Sequence, residues 1–412
     1  MRITLFELQK VFRTPVILFL LIVFIGFNTF LIFSNAQFRD ELKVVNQIVE
    51  KYGLTFNDST LEQLNRDIDK EMTKIDSNFH TAEDFFNQLT YKKYETYNVK
   101  NQKAIDQLSL FFMYYTNALS LDKRYQTINI EKIGEGLKET YQISGIAAKF
   151  IDYEHKKLEP RFQEMVKSEE YKTWFFAGDV YRMHSLLFRS ILKTLAVEGT
   201  ILVVLITALL ACYEKDQNTS LVTFSTKVGR NVMKRKLFAS LISSVIVGFV
   251  LFVTMLVTYF TLFDYHHLWK SVISSGLNWE YNLPYVTWWK ISFSQFLCLA
   301  IIIIFLTWLL ISMLTFALSI FIQNSYITTI ATYLTLLAMF VIPSYIASSS
   351  VLLLLSQVNL TLLILNPHMY FNGLAGLTGF EHHELITISC WTMMIGILVW
   401  ITLRRFSRKD LV

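Results

Sequence analysis

The chain has 412 residues, 53% of them hydrophobic and only 17% charged, with a mean hydropathy of +0.39. That balance excludes an ordinary soluble globule, which carries more charge at this size. The apolar residues also come in blocks of about 20, the length of a helix that crosses a bilayer. A net charge of +5, with basic residues gathered beside apolar blocks, reads as membrane orientation and not as a nucleic-acid footprint. These features predict an all-α polytopic membrane protein.

The first stretch, MRITLFELQKVFRT, is amphipathic, with Leu5, Leu8 and Phe12 on one helical face and Arg2, Lys10 and Arg13 elsewhere. It predicts a short helix on the cytoplasmic membrane surface. A first span follows over 15–33, where Pro15 suits a first helical turn because its missing N–H is not needed there. Ser34-Asn35-Ala36 has the form of a signal cleavage site, but the apolar run is longer than a signal core, so the segment is expected to stay as a span.

From 35 to 190 the chain is polar, with acids and bases nearly balanced, and long enough for a core of its own. A cytoplasmic amino terminus puts this domain outside the cell. Ser59-Thr60-Leu61-Glu62 reads as a capping box, after which Leu61, Leu64, Ile68, Met72 and Ile75 recur at helical spacing. Phe85, Phe86 and Leu89 continue the pattern, and the apolar cluster within 104–121 reads as the core helix of this domain, too short for a span. Cys212, Cys298 and Cys390 all lie in or beside apolar blocks, so the domain has no disulfide framework and the thiols read as packing residues.

A second span is expected over 191–212. It contains Glu198, and an ionisable group inside a span is a functional candidate. The competing reading is a carboxylate at the outer interface, solvated or paired with Lys193 or Arg189. The polar loop 213–236 comes next, with Lys215, Lys227, Arg230, Lys234, Arg235 and Lys236 set against Glu214 and Asp216. Basic residues of this density mark loops that stay in the cytoplasm. A third span is expected over 237–263, then an outer loop whose Trp269, Trp279, Trp288 and Trp289 suit a headgroup-level aromatic belt. The apolar run 291–347 holds two spans broken at Gln323-Asn324-Ser325, with Pro343 kinking or ending the fifth. Serines, Asn359, Asn366-Pro367 and Gly373, Gly376 and Gly379 interrupt the next stretch. They predict a re-entrant outer segment over 348–385, made of two short helices. A last span over 385–403 leads to the basic tail Arg404-Arg405-Phe406-Ser407-Arg408-Lys409.

Six spans with both termini cytoplasmic satisfy the charge rule: the inner segments hold 13 Lys and Arg, while the two shorter outer segments hold only Lys270 and Lys290. The chain thus divides into an interfacial helix and first span (1–34), an extracellular helical domain (35–190) and a membrane domain (191–412), in the cell membrane. No phosphate-binding Gly-x-x-x-x-Gly-Lys-Ser/Thr, Gly-x-Ser-x-Gly or His-Glu-x-x-His motif occurs. His266 and His267 follow the third span and His382 and His383 precede the sixth. Metal binding there is weighed against polar punctuation of two span ends, and punctuation is preferred because adjacent histidines on a helix point to different faces.

The membrane portion resembles the permease subunits of type-2 ABC exporters. That family shows Glu-x-x-x-Gly-Thr, an apolar stretch, then Pro-x-Ser-Arg and a basic residue opening the next span. Here Glu214, Thr219, Arg230 and Lys236 match, while Asn218, Lys227 and Gly229 replace the glycine, proline and serine. The amphipathic amino terminus, the broken segment with Asn366-Pro367 and Tyr370, and the tail from Phe406 to Leu411 extend the likeness. The resemblance implies a complex of two permeases, as a second copy or a paralogue, with a dimer of a separate cytoplasmic ATPase. That ATPase would carry the ATP and Mg, with no cofactor in this chain, and it would press on loop 213–236 and on the helix bearing Leu5, Leu8 and Phe12. Glu214, Thr219, Arg230, Lys234 and Lys236 are the expected coupling residues, and Glu198, Asn366 and Pro367 the expected pathway or outer-face residues. Two other classes compete: a sensor or mechanical transmitter that moves no solute, and a membrane-embedded enzyme built on the His and Glu groups.

Overall fold

The computed structural model describes residues 2–176, 185–225, 229–280 and 282–408, apart from the side chains of Arg2, Ser185 and Arg230. Helix α1 (Arg2–Phe12) stops at Arg13-Thr14, and Pro15 opens α2 (Pro15–Ser34) in a new direction. The polar stretch then forms a head unit of α3 (Phe38–Tyr52), α4 (Asp58–Ile75), α5 (Ala82–Gln88), α6 (Tyr91–Thr96), α7 (Val99–Thr127), α8 (Ile130–Thr140) and α9 (Gly145–Lys167). A π-helical turn, Ser185–Leu192, leads into α10 (Lys193–Asp216), followed by α11 (Ser220–Ser225) and α12 (Gly229–Leu262). The remainder is α13 (Phe293–Ile322), α14 (Ser325–Val341), α15 (Val351–Gln357), α16 (Leu360–Leu365) and α17 (His383–Arg408). Among the described residues the one ladder pairs β1 (Trp279–Glu280) with β2 (Leu283–Pro284), antiparallel, with Trp279 opposite Pro284.

Among the described residues six helices are long and apolar enough to cross a membrane: α2, α10 with its π-helical lead-in, α12, α13, α14 and α17. They are not equivalent. The apolar window of α10 is 78% buried, against 17% for α2 and 22% for α14 and α17, so α10 is the axis on which the others pack. Its closest approach to α12 and α13 is set by one indole. Trp308 of α13 lies against Gly199 of α10 and Gly248 of α12, where an added Cβ would come within 2.0 and 2.7 Å of the ring. Its Nε1 donates to the Ala196 carbonyl at 3.0 Å. Nearer the middle, Thr207 and Ser312 share a hydrogen bond of 2.8 Å, and Ser312 reaches Ser240 at 3.4 Å. Small and hydroxylic residues let apolar helices approach closely and bond across the gap, which is how helices associate where lipid is the competing solvent.

The head unit keeps its expected core: Leu61, Leu64, Ile68 and Met72 of α4 are buried, as are Phe85 of α5 and Leu108, Tyr114 and Leu121 of α7. Two expectations change. The N-cap of α4 is Asn57, whose Oδ1 accepts from Thr60 N at 2.9 Å, and not Ser59; Glu62 pairs with Arg66 instead of closing a box. An extended asparagine two residues upstream offers the same acceptor, and the helix starts there. The tryptophans of 264–292 also do not form a uniform belt. Trp288 is buried with its Nε1 on the Gly379 carbonyl at 3.0 Å, and Trp279 bonds Gly276, while only Trp269 and Trp289 are exposed. This loop is a packed platform beneath the head unit. Arg161 of α9 pairs with Glu170 at 2.7 Å, Glu170 accepts from Ser274, and Gly276 N donates to Tyr171 O at 2.8 Å. From the other side, Asn46 of α3 donates to Asp264 O at 2.6 Å and accepts from His267 N at 3.1 Å.

The break at Gln323-Asn324-Ser325 is confirmed. Gln323 is left-handed at φ 59°, Asn324 caps α14, and a single-turn 3-10 helix, Ile342–Tyr345, ends that helix at Pro343. The two short helices expected beyond it are α15 and α16. Asn359 caps α16 and donates to Met339 O at 2.6 Å, tying the segment back to α14. The third and last spans begin earlier than expected, at Gly229 and His383, because the basic and polar residues there continue the helix instead of ending it.

Two measurements test this packing. Gly199→Leu should lower the unfolding temperature of the detergent-solubilised chain by an amount at the upper end of the about 1–3 kcal/mol cost of overpacking. Gly26→Leu, on an open face of α2, should leave it unchanged. The second concerns His155, buried between α8 and α9 with Nδ1 donating to Ile151 O at 2.9 Å. Burial pushes its pKa below the usual histidine value against the opposing effect of that bond. The contribution is therefore complete above about pH 6.5 and lost as pH falls below it. The melting temperature should drop on acidification through that range, and His155→Gln should flatten the slope.

Candidate functional site

At the base of the bundle α1 lies across α10 and α12. Thr4, Glu7 and Val11 recur at helical spacing and are buried there, whereas Leu5 and Phe6 are exposed. Glu7 therefore points into the protein. There it meets Lys236 of α12, which has no exposed surface. Lys236 Nζ lies 2.6 Å from Glu214 Oε2 and 3.2 Å from Glu7 Oε2, and it also donates to the Leu210 carbonyl. Lys10 closes the set, with its Nζ 2.8 Å from Glu7 Oε1 and 3.2 Å from Glu214 Oε1. The Tyr213 ring faces both ammonium groups, at 4.2 Å from Lys10 and 5.7 Å from Lys236.

The four charges sum to zero, and each carboxylate bridges both ammonium groups. Such an arrangement survives burial because no member is left without an opposite partner. Burial opposes the charged form of Lys10, but Glu7 and then Glu214 outweigh it and hold its pKa above the ordinary lysine value. The quartet joins three chain segments that share no backbone bond at this point: α1, the end of α10 and the start of α12.

Beyond Glu214 the chain turns in a Schellman cap. Asn218 N donates to Lys215 O at 3.1 Å and Thr219 N to Glu214 O at 2.8 Å, with Asn218 left-handed at φ 56°. Glycine is the usual residue in that conformation and asparagine its common substitute. Asn218 is thus conformationally equivalent to a glycine at this position. Gly229 has its own reason: a Cβ there would lie 2.4 Å from Thr223 O and 2.6 Å from Phe224 Cα, so its absence lets α11 press on the start of α12. Phe224 then packs with Ala211, Met233, Phe316 and Ile320, and stacks edgewise on Phe406 at 5.2 Å. The opposite face of α11 exposes Leu221 and Val222.

Of the coupling residues expected from sequence, Glu214 and Lys236 meet in the quartet and Thr219 forms the cap. Leu8 and Phe12 are half-buried against the core, Leu5 faces out, and Lys234 is exposed. Lys227 and the side chain of Arg230 lie outside the described residues. Glu7 and Lys10 were missing from the expected set. Glu7 is the single acidic residue of the amphipathic amino terminus, three positions before Lys10, and that was its signal.

The remaining candidates are spread elsewhere. Glu198 is neither solvated nor paired with Lys193 or Arg189. It is buried and accepts from Asn28 of α2, whose amide also donates to Phe24 O at 2.9 Å. Asn366 and Pro367 end α16, and Tyr285 fixes the turn after them through bonds of 2.9 and 2.7 Å to the His368 and Tyr370 carbonyls. His368 itself is buried with no ring partner among the described residues, and burial, with Arg189 and Lys193 nearby, pushes its pKa down to about 3. The four histidines weighed as metal ligands are not gathered. His382 lies against Trp289, His383 bonds the Gln357 carbonyl, His267 faces His266, and no cluster of three or more metal-binding side chains exists among the described residues.

Lys236→Met should cost about 3–5 kcal/mol, the penalty for leaving two buried carboxylates short of a partner. The double variant with Glu214→Leu should recover most of it, since Glu7 and Lys10 still pair. Thermal unfolding in detergent reads both. At the cap, Asn218→Gly should be neutral or better, whereas Asn218→Val should cost about 1–2 kcal/mol for its left-handed backbone.

No family model, curated protein or solved structure matches this chain.

Proposed function

We propose that the chain is the permease subunit of an ATP-driven ABC exporter in the cell membrane, with its termini and base in the cytoplasm and its head unit outside. The reading rests on the base. A short amphipathic helix, α11, is clamped to the bundle by Gly229 and Phe224, offers Leu221 and Val222 outward, and sits beside an interfacial helix locked by four buried charges. A rigid lever of this kind transmits a push as rigid-body motion, which a flexible loop would not. The excess of Lys and Arg at this end supports its cytoplasmic placement. The chain has no phosphate-binding loop, so ATP and Mg belong to a separate ATPase dimer docked on α1 and α11. Substrate (a peptide, drug, lipid-like molecule or ion) would pass between this chain and a second permease.

A sensor or transmitter is the competing reading. It draws on the bonds from Arg161, Glu170 and Ser274 that couple the head unit to the loop between α12 and α13.

The test is reconstitution with the P-loop ATPase that co-purifies with the chain. Stoichiometric association, ATP hydrolysis that depends on the permease, and at least a tenfold loss of that hydrolysis in Leu221→Glu/Val222→Glu are expected. An ATPase indifferent to this double change, or none in stoichiometric amount, overturns the assignment. Coupled hydrolysis with no solute flux in vesicles favours the transmitter.

A further inference from the structure

A sizeable cavity lies within the head unit, far in sequence from the base. It encloses about 650 Å³ between α3, α4 and α7, within the range of about 300–1,000 Å³ that holds small organic ligands. Its floor is apolar: Leu64 and Ile68 from α4, Leu108 and Phe111 from α7. Its rim carries Lys51, Lys74 and Lys100 against Asp67 and Glu71. The two acids are already engaged, Lys51 with Asp67 at 2.6 Å and Lys74 with Glu71 at 2.5 Å. Lys100 forms no ion pair among the described residues, which leaves one positive charge over an apolar floor.

An apolar concavity with one unmatched rim cation fits a ligand that has an apolar body and one anionic group. A cationic amphiphile would meet Lys100 with like charge, and a neutral one would leave it without a partner.

We propose that the head unit binds a drug-sized anionic amphiphile in this cavity, with its apolar body over Leu64, Ile68, Leu108 and Phe111 and its anion at Lys100. The site depends on neither the transport nor the transmitter reading. A folded peptide helix is not the occupant, because the cavity is bounded by helices on three sides and is too small to seat one.

The probe is radiolabelled decanoate, measured by equilibrium binding to the full chain in nanodiscs, with empty nanodiscs as blank. Saturable binding is expected. Lys100→Glu should weaken it at least tenfold. Lys103→Glu, one turn along α7 and outside the cavity lining, should change it less than twofold. Ala104→Trp, which fills the cavity, should abolish it, and decylammonium should not compete. The proposal is overturned if decanoate shows no saturable binding, if the two lysine variants behave alike, or if decylammonium competes equally. Should Ala104→Trp fail to fold, the pair of lysine variants decides.

Discussion

Everything at the base depends on one electrostatic balance. Lys236 is wholly buried and has to be neutralised where it stands, and among the described residues the carboxylates that reach it are Glu214 and Glu7. Two carboxylates on one ammonium would leave a negative excess, which Lys10 removes. The position of α1 is therefore fixed by this charge balance together with Val11, Leu8 and Phe12, which pack on the core while Leu5 and Phe6 point away from the protein. A buried ion network contributes little net stability compared with apolar packing, but it is intolerant of partial assembly. That intolerance suits an element whose geometry has to be all or nothing.

The same logic of close approach without side chains recurs along the bundle. Gly199 and Gly248 admit Trp308, and Gly229 admits the backbone of α11. In each case a missing Cβ removes a clash and allows direct contact, and two of the three contacts, at Gly248 and Gly229, join α12 to a neighbour. As α12 carries Lys236 near one end and runs to the platform under the head unit at the other, it is the physical link between the two ends of the molecule.

Most of the architecture was legible because its signals are local. Apolar runs, Pro15, the Gln323-Asn324-Ser325 turn and the short helices around Asn359 each follow from a few adjacent residues. The site was legible in half. Glu214 and Lys236 stood out as charges beside spans, but Glu7 and Lys10 gain their meaning only from a helix that packs back on residues some 200 positions later. Asn28 was hidden for the same reason: a single amide in an apolar span says nothing until Glu198 is placed against it. The tryptophans misled because amphipathic rings suit both a lipid headgroup layer and a buried platform, and composition does not separate the two.

The order of the quartet along the chain has a consequence for how the protein is made. Glu7 and Lys10 emerge first, and Glu214 and Lys236 emerge more than 200 residues later. At ribosomal rates of about 5–20 residues per second, that gap lasts on the order of ten seconds or more. Throughout it α1 has neither Glu214 nor Lys236 to bury against, and Glu7 and Lys10 have only each other as partners. Pro15 keeps α1 and α2 from fusing into one. The base is thus the part of the fold that waits longest for its own completion: its first two charges are made at the start of the chain, and the other two close the set only after the second span has been synthesised.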